Sequence, residues 1–193
     1  MTLIIRTANN TSHTGRTLEG VAFDWETPVL VNDDGRRSYF EEFDRTCCDA
    51  TLSVRSRLAL GVMHPWSPEP DGSTKRVSQL PVGAVDFTRS AEGLVFIARL
   101  SRTREGDEAL ELLNDGALGD VSIGAKAVRS ASRYSPRGTV VRRMEIALRE
   151  LSLAPPGMGA RPEAKVLVMR TATVTAGTPR LDHLTLRLRA LSL

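Results

Sequence analysis

The chain has 193 residues, 41% of them hydrophobic and 25% charged, which is the balance of a globular protein with one sizeable core. No apolar run approaches the roughly 20 residues that a membrane-spanning helix needs, so we expect no membrane partner. The net charge of +3 rests mostly on arginine and lacks interleaved basic and aromatic residues, so we expect no specific nucleic-acid partner.

Short strands and one short helix are predicted in the first third of the chain. Leu3–Thr7 and Thr17–Phe23 have the composition of strands, and residues 32–37 (NDDGRR) form a turn-rich loop. A short helix is expected around Tyr39–Arg45. The stretch Arg57–His64 alternates with period two and therefore predicts a strand.

The middle of the chain predicts a surface loop, a hairpin and a helix. Residues 65–76 contain three prolines and a glycine, which favour a loop. Val82–Thr88 alternates and, after a turn, is followed by a second alternating stretch, as in a hairpin. Thr103 can cap a helix over Arg104–Asn114, and Gly116 can end it.

Two long strands and a short one complete the predicted body. Asp120–Arg129 and Val140–Leu153 are separated by a polar loop, and Ala164–Met169 forms a final strand. More strands than helices in this order predict an α+β fold whose antiparallel sheet is closed or strongly curled. We expect one domain over residues 1–169. Residues 170–193 form a flexible or partner-docking tail whose leucine pattern fits a helix and a strand equally.

One histidine lies in the body of the chain. His64 ends a predicted strand on its apolar face, whereas His13 and His183 lie near the two ends. An isolated histidine is ordinarily a partly buried residue satisfied by the backbone, but one at the edge of a core is suited to proton transfer near neutral pH. The pattern alone leaves both interpretations open.

A serine and a carboxylate are the other candidate site residues. Ser122 lies two residues before Gly124, which would let a peptide backbone approach closely. A serine hydroxyl is a weak nucleophile until a base takes its proton, and His64 is the central base on offer. Glu150 lies on an apolar strand face, where a carboxylate needs strong hydrogen bonds. An arginine could supply them, as could the second ring N–H of His64.

The adjacent cysteines Cys47 and Cys48 exclude a CxxC metal site, and a disulfide between them would be strained. A reducing compartment is therefore expected. A thiol nucleophile acting with His64 is a further hypothesis, although no flanking motif supports it.

Several ordered blocks of this sequence resemble the prohead serine proteases of tailed phages. The blocks are GVMH at 61–64, then VGAVDFTRSAEGLVFIARL, NDGALGDVSIGAKA and ALRELSLAPPGMGARPEAKV. The resemblance runs from about Leu18 to Val168. A series of blocks in this order is more specific than any one motif.

The resemblance implies a small β-barrel flanked by a few helices, similar to the herpesvirus assembly proteases. It places the nucleophile at Ser122, the general base at His64 and the third catalytic residue at Glu150, with Glu145 as the fallback. The loop Gly157–Arg161 is a candidate for the oxyanion donors. The resemblance implies no metal and no organic cofactor.

The implied function is that of a serine endopeptidase of capsid maturation. Its substrates and partners would be scaffold protein or the scaffold-like arm of the major capsid protein, and it would also cleave itself. It would act inside the assembling prohead, or a prophage-derived particle, in the host cytoplasm, and a homo-oligomer is compatible with this role. The alternative is a non-catalytic capsid-assembly or scaffold-binding protein with a protease-like fold.

Overall fold

A computed structural model describes residues 15–31, 38–55, 57–64, 66–68, 74–76, 80–159 and 161–170. The predicted strand Leu3–Thr7, the predicted loop 32–37 and the tail after Arg170 lie outside the described residues. Among the described residues, no helix has the length and apolar character that crossing a membrane requires.

Most of the described residues lie in strands, and two helices accompany them. The strands are β1 (Thr17–Asp24), β2 (Val29–Val31), β3 (Tyr39–Phe43), β4 (Arg57–Val62), β5 (Trp66–Pro68), β6 (Thr74–Arg76), β7 (Gly83–Arg89), β8 (Gly93–Leu100), β9 (Asp120–Ser135), β10 (Gly138–Ala154) and β11 (Lys165–Arg170). The helices are α1 (Asp49–Val54) and α2 (Arg104–Asn114).

The main sheet curls until its two sides meet. Its strand order is β2-β3-β10-β4-β7-β8-β1-β11-β9, and β9 pairs with β10, so the strands from β10 to β9 form a ring. The β9–β11 junction has one register pair, Lys165 with Asp120, and the ring is therefore not a continuously bonded barrel. The predicted α+β class and strong curl are confirmed in this form.

The sheet is mixed, and the prediction of a wholly antiparallel sheet is wrong. Both β3 and β4 run parallel to β10, the first beside Val140–Arg143 and the second beside Glu150–Leu153. The chain between β3 and β4 stays on β10, where Thr51 accepts the Leu148 N–H at 3.1 Å and Cys47 O accepts the Ile146 N–H at 2.8 Å. The two strands therefore follow one another along β10 in the same direction.

The apolar core fills the ring. Alternate residues of β8 point inward and are almost fully buried, namely Leu94, Phe96, Ala98 and Leu100. Phe23 of β1 stacks on Phe43 of β3 with ring centroids 4.1 Å apart. Burial of each of these leucine and phenylalanine side chains stabilises the fold by about 1.5–3 kcal/mol, so the core fixes the strands that carry the site.

Helix α2 has the predicted ends. The Thr103 hydroxyl accepts the Gly106 N–H at 3.2 Å, and Gly116 beyond the helix has φ of +74°. The predicted β7–β8 hairpin is also confirmed. The helix predicted around Tyr39–Arg45 is wrong, because these residues form β3 and a turn, and the first helix lies later at Asp49–Val54.

Two predicted loops contain strands. The polar segment after Arg129 continues β9 to Ser135, and Gly138, with φ of +126°, starts β10 after a two-residue turn. The proline-rich segment 65–76 contains β5 and β6, which pair with each other. Polar composition therefore did not mark the end of a strand in either segment.

Candidate active site

A left-handed turn brings His64 into position. Strand β4 ends at Val62, and the next two residues have positive φ angles, 57° for Met63 and 50° for His64. Such angles are uncommon outside glycine and cost free energy. The Met63 N–H donates to Leu153 O at 3.0 Å, which holds the turn against β10. The prediction that His64 continues the strand is corrected, because its side chain is directed by this turn.

His64 is hydrogen-bonded to a buried carboxylate. Its Nδ1 lies 2.9 Å from Oε1 of Glu150, whose side chain is only 5% exposed. The Ser152 hydroxyl donates to the same oxygen at 3.3 Å. Both contacts are made to Oε1, and no arginine of the described part of the chain pairs with this carboxylate, so the histidine alternative fits Glu150. A proton on Nδ1, facing the carboxylate, leaves Nε2 able to accept one.

Glu145 is placed differently from Glu150. Its carboxylate lies 4.0 Å from Arg129 on the neighbouring strand, and its side chain is 38% exposed. The structure therefore gives His64 the partner predicted first, Glu150, and not the fallback.

Ser122 lies beside these residues on the same sheet. In the β9–β10 register Ser122 faces Ser152 and Gly124 faces Glu150, so the four side-chain positions share one face. Ser122 is 8% exposed and, with His64, lines a pocket of about 400 Å³. Ser122 and His64, both of which the structure describes, line the same pocket, and no hydrogen bond joins them. Catalytic hydrogen bonds often tighten only when substrate binds.

Gly124 has a structural role that was not predicted from the sequence. A Cβ at this position would lie 2.5 Å from Cγ and 2.7 Å from Oε1 of Glu150, closer than real contacts allow. The missing side chain therefore makes room for the carboxylate that holds His64. The close approach of a substrate backbone at Gly124 stays a prediction.

The loop predicted to supply oxyanion donors has already used two of its N–H groups. The Gly157 and Gly159 N–H groups donate to Oδ2 of Asp120 at 2.7 and 3.4 Å. Asp120, which lies two residues before Ser122, is only 6% exposed, and its carboxylate holds the Gly157–Gly159 backbone in place. Asp120 was not predicted as a site residue, although a carboxylate two residues before Ser122, at the start of β9, was a visible signal.

The Arg161 side chain is buried at the pocket, and only the loop that it ends was predicted to belong to the site. Its guanidinium donates to Thr27 O at 2.6 Å, to Asp24 Oδ1 at 3.1 Å and to Glu163 Oε1 at 2.7 Å. It also lies 5.1 Å from the centre of the Phe43 ring. Burial, followed by a hydrogen bond with Glu163, raises the pKa of Asp24 to about 6.

The rest of the pocket wall is mostly apolar. Ile123, Ala125, Ala127 and Ile146 line it together with Phe43. Glu41 and Arg143 also line it and form an ion pair at 2.7 Å. Over the described ranges, no group of three or more histidine, cysteine, aspartate or glutamate residues is placed to hold a metal ion.

The cysteines are poorly placed for the thiol hypothesis. Cys47 and Cys48 are fully buried with their sulfurs 3.6 Å apart, and neither lines the pocket of His64. The hydrogen bond with Cys47 and burial raise the pKa of the Cys48 thiol, which disfavours the reactive thiolate.

A histidine held by a buried carboxylate, opening on a pocket that also contains a serine, is the arrangement expected of a serine hydrolase. The family model for the caudovirus prohead serine proteases matches residues 2–176, and the chain belongs to that family. A comparison with curated proteins finds no match. Family membership confirms the resemblance and supports a phage capsid maturation protease, with capsid proteins as its general class of substrate. The likeness to the herpesvirus protease fold stays a prediction.

Proposed function

We propose that the protein is a serine endopeptidase in which Ser122 is the nucleophile, His64 the general base and Glu150 the residue that orients His64. The observation that carries the proposal is the 2.9 Å contact between His64 Nδ1 and Glu150 Oε1 at the pocket that Ser122 lines. Membership of the prohead serine protease family supports it independently.

In the proposed reaction, Ser122 Oγ attacks the scissile carbonyl carbon while His64 Nε2 takes the hydroxyl proton. Glu150 keeps Nδ1–H on its own side and stabilises the imidazolium that forms. When the C–N bond breaks, His64 gives the proton to the leaving amine. His64 then takes a proton from a water molecule that attacks the acyl carbon, and it returns this proton to Ser122 Oγ as the C–O bond of the acyl-enzyme breaks. Substrate binding brings Ser122 Oγ and Nε2 into hydrogen-bond distance.

The proposed substrates are scaffold protein or the scaffold-like arm of the major capsid protein, together with the enzyme itself. Strand β9 offers a row of small and apolar pocket residues beyond the nucleophile, namely Ile123, Ala125 and Ala127. Such a wall suits an extended polypeptide segment better than a compact, highly charged ligand. The reaction would take place inside the prohead in the host cytoplasm.

Co-expression with the cognate capsid and scaffold proteins tests the proposal. The intact mass of every chain in purified particles is compared between the wild type and Ser122→Ala. The matched control is Ser135→Ala, which removes a hydroxyl that donates to Gly138 O in the β9–β10 turn.

We expect discrete truncations with the wild type and with Ser135→Ala, and full-length chains with Ser122→Ala. Truncations that persist in Ser122→Ala would refute the assignment of the nucleophile. Full-length chains in every case, with the protein incorporated into particles, would favour the non-catalytic binding protein instead.

A further inference from the structure

Ser152 occupies the centre of the site without lining its pocket. It lies on β10 between two strands, facing Ser122 of β9 on one side and Gly61 of β4 on the other. Its relative exposure is 0%, so neither solvent nor a substrate can reach it. A second serine therefore lies beside the proposed nucleophile in a position that excludes it from attack on a peptide bond.

The hydroxyl of Ser152 shares an acceptor with the histidine. It donates to Oε1 of Glu150 at 3.3 Å, and His64 Nδ1 lies 2.9 Å from the same oxygen. Ser152 is fixed by the β10 backbone, whereas His64 is 37% exposed on a turn. The serine is thus the rigid one of the two partners.

The packing around the carboxylate leaves it little freedom. The Glu150 side chain packs directly against Gly124, so closely that a Cβ at Gly124 would lie 2.5 Å from Glu150 Cγ. A buried carboxylate also loses free energy if one of its hydrogen bonds is left unmade. Gly124 therefore gives the space, and the Ser152 hydroxyl gives the direction in which Oε1 points.

We propose that Ser152 is a positioning residue that acts on His64 through Glu150, a role that rests on the proposed function. By holding Oε1 in place, Ser152 keeps the Nδ1–H tautomer of His64 and thereby keeps Nε2 as the acceptor for the Ser122 proton. Ser152 takes no part in bond making or breaking.

Kinetics of purified enzyme on a peptide that spans a mapped cleavage site test this role. We expect Ser152→Ala to lower kcat about tenfold, the size of one lost hydrogen bond to a charged group, with KM unchanged. In a Glu150→Gln background the same substitution should change kcat by less than about twofold, because the residue through which it acts is already altered. Equal effects in both backgrounds would overturn the proposal.

The matched control is Ser90→Ala, which removes a hydroxyl that bonds to Gly93 within the β7–β8 turn. It should leave kcat and the tautomer of His64 unchanged, even if it lowers the melting temperature. An equal loss of kcat in Ser90→Ala would attribute the effect of Ser152→Ala to general destabilisation and would overturn the proposal.

A readout independent of activity uses nitrogen NMR of the His64 ring in inactive Ser122→Ala protein. Adding Ser152→Ala should reduce the population of the Nδ1–H tautomer, whereas adding Ser90→Ala should not. Unchanged His64 resonances on loss of the Ser152 hydroxyl would contradict the positioning role, whether or not the protein is a protease. Failure of the proposed function is seen separately, as cleavage that survives Ser122→Ala.

Discussion

Two buried carboxylates on neighbouring strands are stabilised in opposite ways. Glu42 of β3 is paired with Arg133 of β9, with Nη2 2.9 Å from Oε2, and this contact lowers the pKa of Glu42. Glu150 of β10 is paired instead with His64 and Ser152. Arginine keeps its proton at all relevant pH values, so its ion pair links the two strands permanently. Histidine can lose and regain a proton, so its pair can support proton transfer.

The comparison predicts the largest effect for Glu150→Gln. The amide keeps the shape of the side chain but can present N–H to His64, which favours the wrong tautomer and leaves Nε2 protonated. We expect the cleavage rate to fall by about 10³–10⁴-fold, as for loss of the orienting carboxylate in other serine proteases. Initial rates on a peptide spanning a mapped cleavage site measure it.

The control for that experiment is Glu145→Gln, which neutralises a second carboxylate on the same strand as Glu150. This carboxylate lies beside Arg129 of the neighbouring strand β9. Its rate should stay within about twofold of the wild type, because an exposed ion pair contributes little. A large loss in Glu145→Gln together with a small loss in Glu150→Gln would exchange the roles of the two residues.

Gly124→Ala tests whether the space around Glu150 matters. The new methyl group would overlap Glu150 Cγ, so the carboxylate must move, and a displacement of about 1 Å can cost 10²-fold in rate. We expect a rate loss of about 10–100-fold, measured with the same peptide.

Gly119→Ala is the matched control, since the nearest atom to its Cβ, Cγ of Pro156, is 4.0 Å away. Similar rates for Gly124→Ala and the wild type would show that Glu150 does not need its observed position.

Glu42→Gln should affect stability without affecting cleavage. The substitution removes the charge that pairs with Arg133, but that arginine is 52% exposed and can be hydrated. We therefore expect a loss of about 1–2 kcal/mol in the free energy of unfolding, measured with urea, and an unchanged kcat. A drop in kcat at full folding would mean that the arginine pairs also shape the site.

Local signals in the sequence were sufficient for some elements and not for others. Helix α2 was predicted from its capping residue, and the β7–β8 hairpin from its turn and its alternating residues. These signals lie within or next to the elements themselves. Strand β3 was predicted as a helix because its strand character depends on distant partners. Its Glu41 and Glu42 pair with Arg143 and Arg133, about a hundred positions later, and those pairs also keep the polar ends of β9 and β10 in strands.

The same distinction holds for the site. Ser122, His64 and Glu150 were proposed from blocks of sequence. In the structure Ser122 and His64 line one pocket, and Glu150 is hydrogen-bonded to His64. Ser152 was not proposed, because its importance depends on the register of β10 against β9 and β4. The role of the Arg161 side chain was not predicted, because its partners Asp24 and Thr27 lie more than 130 positions earlier in the chain.

Asp24 is intermediate between the two carboxylates of the comparison, since it contacts the permanent cation Arg161 but shares a hydrogen bond with a second carboxylate, Glu163. Its pKa in the folded protein is raised to about 6, above the ordinary aspartate value of 3.8. Between these values the folded state holds the proton more tightly, so the stability that Asp24 contributes is present below about pH 4 and is lost as pH rises through about 6.

Asp24→Asn resembles the protonated form at every pH. The difference in unfolding free energy, variant minus wild type, should therefore become more positive from pH 5 to pH 8 in urea titrations. A difference that is constant with pH would show instead that Arg161 keeps Asp24 ionised throughout, as Arg133 does for Glu42.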